Sequence, residues 1–189
     1  MRKCILLPIA ALTIFSACQS TGPSIAKSRS YEEQINWPEE FKPEEASFYI
    51  HNSIEINAPA EAVWRELIDA TRWPEWYEGA ENVQIQNGQS LLQDDSVFTW
   101  STMGLNFVST VKEYVPNCRL SWRSQKAVIQ GYHAWLIIPR GKGVLLITDE
   151  SQRGFLTFFQ KVFVPNKLSR LHDIWLAGIK KRAEAKVGI

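Results

Sequence analysis

The chain has 189 residues, 45% of them hydrophobic and 22% charged, with a formal net charge of +1. That apolar share is too high for a disordered polymer, and the near-neutral balance excludes the dense basic surface that nucleic-acid binding needs. The aromatic complement is unusual: eight Trp and nine Phe exceed the needs of one core this size, so some are expected to line a space.

Arg2 and Lys3 form a short positive start, and an uncharged apolar run follows from Ile5 to Phe15. As helix that run covers roughly 16 Å, about half of a bilayer core of roughly 30 Å, so it reads as a signal peptide rather than a membrane span. It ends Phe15-Ser16-Ala17-Cys18, which resembles a bacterial lipobox, although Phe15 stands where that motif usually has Leu. The resemblance implies cleavage after Ala17 and lipidation of Cys18, and two or more acyl chains suffice for stable attachment. Gln19, rather than Asp, after the cysteine implies outer-membrane sorting on the enterobacterial pattern. The predicted organisation is therefore 1–17 signal peptide, 18–46 lipidated tether and irregular lead-in, and 47–186 one folded domain. Trp37 and Phe41 are expected to tack the lead-in onto the domain. Cys4 leaves with the signal, so Cys118 is expected to have no disulfide partner in the mature chain.

Regular patterning begins at residue 47. Residues 48–56 read as a first strand, alternating at the end. Asn57-Ala58-Pro59 predicts a helix start, with Asn57 as cap, and Val63, Trp64, Leu67 and Ile68 supply its apolar stripe. A second short helical piece is predicted at Pro74–Tyr77. Six strands follow near 82–87, 95–102, 105–115, 118–125, 127–138 and 143–152, separated by turn chemistry at Asn87-Gly88, Gly104, Pro116-Asn117 and 139–143. Such short connections predict antiparallel neighbours. Phe155 to Val164 is almost wholly apolar and helical, Pro165 interrupts, and 167–185 is a long helix with the stripe Leu168, Leu171, Trp175, Ile179 and Ala183. The predicted class is α+β: a curved antiparallel sheet of about seven strands whose one large burial partner is the terminal helix.

Several local sequences resemble the SRPBCC (START-like, polyketide cyclase/dehydrase-type) superfamily. Ile56-Asn57-Ala58-Pro59 through Val63-Trp64 is similar to its strand-to-helix opening, and Trp73-Pro74-Glu75-Trp76-Tyr77 to its W-P-x-W-Y corner. Arg119-Leu120-Ser121-Trp122, Gly131-Tyr132-His133-Ala134-Trp135 and Thr148-Asp149-Glu150 are similar to three later strands, in the right order. The resemblance spans about 47–185 and implies a helix-grip fold around a hydrophobic-ligand cavity. It implies no single activity, because members bind lipids, hormones or polyketides and only some catalyse.

Strand alternation places Ile129, Gly131, His133, Trp135 and Ile137 on one face, and Leu146, Thr148, Glu150 and Gln152 on another. The family pattern implies that both face inward. His133 and Glu150 would then meet among aromatic residues, as a structural pair, a ligand-orienting pair or an acid–base pair. Trp100, Phe107, Trp122, Trp135, Phe158, Phe159 and Phe163 are the apolar wall candidates, individually core and collectively a pocket. Among the three histidines, His51, His133 and His172, no metal-ligand spacing occurs, so neither metal nor cofactor is predicted. Cys118 has no base near it in sequence, which makes a catalytic thiol a poor reading.

Three functions remain open at this level: an envelope-anchored binder or carrier of a hydrophobic small molecule or lipid, a cyclase- or dehydratase-type enzyme acting through His133 and Glu150, and an interaction module with a filled cavity. The anchoring is directly testable. Cys18→Ser should abolish the mass gain of lipidation and leave the precursor unprocessed, and wild-type protein recovered soluble without a mass gain would refute the lipobox reading.

Overall fold

A computed structural model describes residues 34–187; the signal segment and Cys18 lie outside that range. Seven strands form one sheet in the order β1-β7-β6-β5-β4-β3-β2, with every neighbouring pair antiparallel. They are β1 (Phe48–Ile56), β2 (Glu81–Ile85), β3 (Val97–Thr102), β4 (Leu105–Val115), β5 (Arg119–Lys126), β6 (Ile129–Arg140) and β7 (Gly143–Arg153). Between β1 and β2 lie α1 (Ala60–Ile68) and a 3-10 turn over Ala70–Glu75, and the chain closes with α2 (Phe155–Phe163) and α3 (Lys167–Ala185).

Two glycines show how the backbone enforces the topology. Met103 and Gly104 both sit at positive φ, 52° and 78°, which is the two-residue turn whose twist suits the β3–β4 hairpin. At the start of β7, a Cβ on Gly143 would lie 2.2 Å from the Ile56 carbonyl oxygen, so the β1–β7 edge can close only around a bare backbone. The helix start differs from the sequence expectation. Pro59, not Asn57, is the N-cap, and no side chain caps it. The Asn57 backbone N–H is instead held by the Glu184 carboxylate at 2.7 Å, tying the start of α1 to the end of α3.

α3 lies across the concave face of the sheet. Trp175, 1% exposed, is the centre of the contact. Its ring stacks on Tyr77 at 4.3 Å and meets Trp73 and Trp135 edge-on at 4.8 and 5.0 Å. Trp73 and Tyr77 arrive on the corner after α1, so three separate parts of the chain share one aromatic cluster. Glu66 on α1 is nearly buried and pairs with Arg182 at 2.5 Å and with Lys186, which clips α1 to the far end of α3.

The convex face is covered as well. Ile35, Trp37 and Phe41 from the lead-in pack against Tyr132 and Ala134, and Arg123 lies over the Phe41 ring at 5.2 Å. β6 is consequently buried on both faces through most of its length. Cys118 is buried and, in the unprocessed chain, disulfide-bonded, which departs from the expectation of a solitary thiol.

Removing the Trp175 ring by Trp175→Ala should cost about 3–5 kcal/mol of stability, read from the urea midpoint. A loss below about 1 kcal/mol would mean that the α3 contact is not the main closure of the core.

Candidate functional site

The grip of the sheet on α3 is incomplete. One end of the concave face is filled by the aromatic corner, and the other holds an open cavity of about 310 Å³. Its walls are Trp100, Leu105 and Phe107 from β3 and β4, Ile129 and Gly131 from β6, Leu156, Phe159 and Phe163 from α2, and Leu168 and Trp175 from α3. Alternation along β6 runs without a bulge in its register with β5 and β7, so His133 points inward while Tyr132 and Ala134 point to the convex side.

Four predicted wall residues do not line this cavity. Trp122 and Trp135 do face inward, but Trp122 is packed against Trp73 at 5.7 Å and Trp135 stacks on His133 at 5.2 Å, both essentially unexposed. An inward direction leads to the cavity only where the corner does not already fill the space. Thr148 lies beneath His133 and supports it. Phe158 projects away from the cavity and is 62% exposed. Trp100, Phe107, Ile129, Gly131, His133, Glu150, Gln152, Phe159 and Phe163 do lie on the wall.

The wall carries one polar cluster. Glu150 Oε2 lies 3.3 Å from His133 Nδ1 and 3.2 Å from His172 Nε2, and Glu150 Oε1 accepts from Gln152 Nε2 at 2.6 Å. His133 Nε2 meets the Thr148 hydroxyl at 2.6 Å. The two imidazoles stack with centroids 4.9 Å apart. Among the described residues, this is the group of His and acidic side chains whose donor atoms converge closely enough to hold one ion, all within 4.8 Å. The expectation of no metal-binding set rested on spacing along the chain, and spacing is blind to ligands delivered by β6, β7 and α3. His172 itself was overlooked for a related reason. Residues 168, 172, 175, 179 and 183 share the buried helical stripe, but a polar His172 falls outside a pattern of apolar positions.

Burial sets the electrostatics. It pushes the His133 imidazolium down to about 3, with Glu150 opposing and His172 reinforcing the shift. Burial alone would raise Glu150, but the hydrogen bond from His172, the charges of both imidazoles and the Gln152 amide hold it down, at about 2. At neutral pH the cluster is therefore a neutral His133 beside an ionised carboxylate. Tyr77 on the same wall is pushed upward by burial and by Glu150 and Glu78, so its phenol stays protonated. Four further buried polar atoms on wall residues have no hydrogen-bond partner: Gln152 Oε1, Gln160 Nε2, His172 Nδ1 and Trp175 Nε1. Buried atoms of this kind cost stability unless something in the cavity satisfies them.

α2 closes the mouth with its polarity reversed. Thr157 and Gln160 are its buried residues, while Phe155, Phe158, Val162 and Phe163 are 53–70% exposed. A helix in a water-facing surface normally does the opposite.

The model of the family described as polyketide cyclase/dehydrase and lipid transport matches residues 48–184. Among solved structures, the hypothetical protein jhp0584 of Helicobacter pylori is 26% identical, with a TM-score of 0.73 over 79% of this chain and 95% of that one. The di-domain ARO/CYC protein StfQ of the steffimycin biosynthetic pathway is 12% identical with a TM-score of 0.61, over 75% of this chain and 52% of that one. A START superfamily protein of Mycobacterium smegmatis is 19% identical with a TM-score of 0.52, over 74% and 97%. The latter two likenesses are of fold. No curated protein matches the chain.

The depressed His133 makes a pH prediction. Between pH 6.5 and about 3 the unfolded chain binds a proton at this imidazole that the folded chain does not, so stability rises with pH across that window and is complete above it. Urea midpoints should therefore fall on acidification from pH 7 to about 4.5, by at most about 1.4 kcal/mol per pH unit from this group. His133→Gln should flatten the fall, and an unchanged slope in that variant would refute the assignment.

Proposed function

The chain belongs to the polyketide cyclase/dehydrase and lipid transport family, and on that footing we propose that it is an envelope-anchored binder or carrier of a hydrophobic small molecule or lipid. The observation that carries the reading is the cavity of about 310 Å³, apolar over most of its wall and polar at one spot. A ligand with an apolar body and one polar end fits that distribution. Its body lies against Phe107, Ile129 and Leu168, and its polar end meets Glu150 and the partnerless atoms of Gln152, Gln160 and His172. The open volume argues against an interaction module with a filled cavity.

Membrane anchoring enters the proposal through the lipobox at Cys18, which makes Cys18 the lipidated residue and the periplasmic face of the outer membrane the location. The reversed polarity of α2 supports the same placement. Phenylalanines exposed beside the cavity mouth suit an apolar phase, and the adjacent Lys161 and Lys167 suit its headgroups. No described helix is long and apolar enough to cross a membrane, so attachment would rest on the lipid and this surface.

The second reading is a cyclase- or dehydratase-type reaction on a hydrophobic carbonyl compound. It is favoured by the placement of His133 and Glu150 on the cavity wall and by the ARO/CYC proteins among the structural neighbours. Against it stands the basicity of the pair. A general base works best with a pKa near the ambient pH, and both groups are held well below that. Binding is the reading the chemistry supports better.

Gly131 separates occupied from unoccupied space on this wall. A Cβ there meets the Glu150 carboxylate at 3.2 Å and the Gln152 side chain at 3.8 Å, so a longer side chain must extend into the cavity. Gly131→Leu should weaken an apolar fluorescent probe by about tenfold or more, roughly 1.4 kcal/mol, while far-UV circular dichroism stays native. Undiminished probe binding in a folded variant would show that the probe, and the proposed ligand, lie elsewhere.

A further inference from the structure

His133, Glu150 and His172 come from β6, β7 and α3, and nothing but the tertiary fold brings them together. We propose that His133 Nδ1, His172 Nε2 and Glu150 Oε2 form a binding site for one divalent first-row transition-metal ion, with its open coordination position facing the cavity.

Three observations carry this. The first is spacing. Glu150 Oε2 stands 3.3 and 3.2 Å from the two imidazole nitrogens, and all three donor atoms lie within 4.8 Å of one another. Bonds of about 2.0–2.1 Å arranged tetrahedrally around an ion set their donors about 3.3 Å apart. The second is the donor set. Two imidazoles and one carboxylate suit zinc and its neighbours rather than calcium or magnesium, which take oxygen.

The third is the outer support. Thr148 lies 2.6 Å from the other nitrogen of His133, and a hydroxyl can accept from that N–H when the inner nitrogen is given to a metal. Gln152 donates to the oxygen of Glu150 that is not shared, also at 2.6 Å. Partners of this kind fix ligand orientation around metals.

Three protein donors leave a four-coordinate ion one free position. Glu150 and His172 both border the cavity, so that position is open to water or to the polar end of a bound molecule. The site would then select for a hydrophobic ligand ending in an oxygen donor, such as an enolisable carbonyl, a hydroxyl or a carboxylate. The metal site itself stands independently of what fills the cavity.

The test uses the full chain in detergent, stripped with a chelator and then titrated with Co2+ and Zn2+ alone. One equivalent of Co2+ should bind and give the visible d–d absorption of a low-coordinate nitrogen/oxygen site. Zn2+ should displace it and raise Tm. His172→Gln and Glu150→Gln, each verified as folded by circular dichroism, should weaken binding by a hundredfold or more. His51→Gln, which removes the one histidine outside the cluster, should bind as wild type. Absence of stoichiometric binding in the wild-type protein would overturn the proposal, whatever the variants do. So would binding that survives His172→Gln and Glu150→Gln. Probe binding measured in chelator keeps this outcome separate from the cavity reading: either can fail while the other stands.

Discussion

The closure of α3 onto the concave sheet is the contact on which the rest depends. It is made mostly by rings. Trp175 meets Trp73 and Tyr77 from the corner after α1 and Trp135 from β6, so three parts of the chain distant in sequence meet there. Aromatic side chains bury large areas with few rotatable bonds, so a small number of them can fix a helix against a sheet. Because this cluster sits at one end of the grip, the other end is held open by the same contact that closes the first. The cavity is the remainder of a concave surface that one helix cannot cover.

That geometry accounts for the unusual composition of the site. Polar groups inside an apolar cavity have to satisfy one another, and the Glu150 carboxylate does so by gathering two imidazoles and an amide. The cluster is concentrated on the β6–β7 pair, the same strands whose convex face is covered by Ile35, Trp37 and Phe41. With packing on both sides, these strands hold the cluster rigidly. The opposite wall, formed by α2, is built differently. It offers phenylalanines to both the cavity and the exterior, and it buries only Thr157 and Gln160. A rigid polar wall facing an apolar helical cover is an arrangement suited to admitting a molecule on one side and orienting it on the other.

Much of the fold was legible in the sequence because its signals are local. Turn chemistry at Gly104 and around residues 139–143 delimited strands that the structure draws within a few residues of the same limits. The Trp73-Pro74 corner and the 167–185 helix were equally plain. Where the local reading failed, the competing influence came from outside the segment. Asn57 is a good cap by type, yet its backbone is held by Glu184 from the far end of the chain. Trp122 and Trp135 alternate inward as expected, but Trp73 and Trp175 occupy the space in front of them.

By itself, then, the sequence determined the element order, the face of β6 that carries His133, and the family pattern over most of the chain. Periodicity and turn residues act over a few positions, so those properties are written where they operate. Only the tertiary structure decided which inward residues meet open space, that Phe158 turns away from it, and that His172 joins His133 at Glu150. These depend on where α2 and α3 come to rest against the sheet, and that is set by packing between segments distant in sequence, a distance that no local pattern encodes.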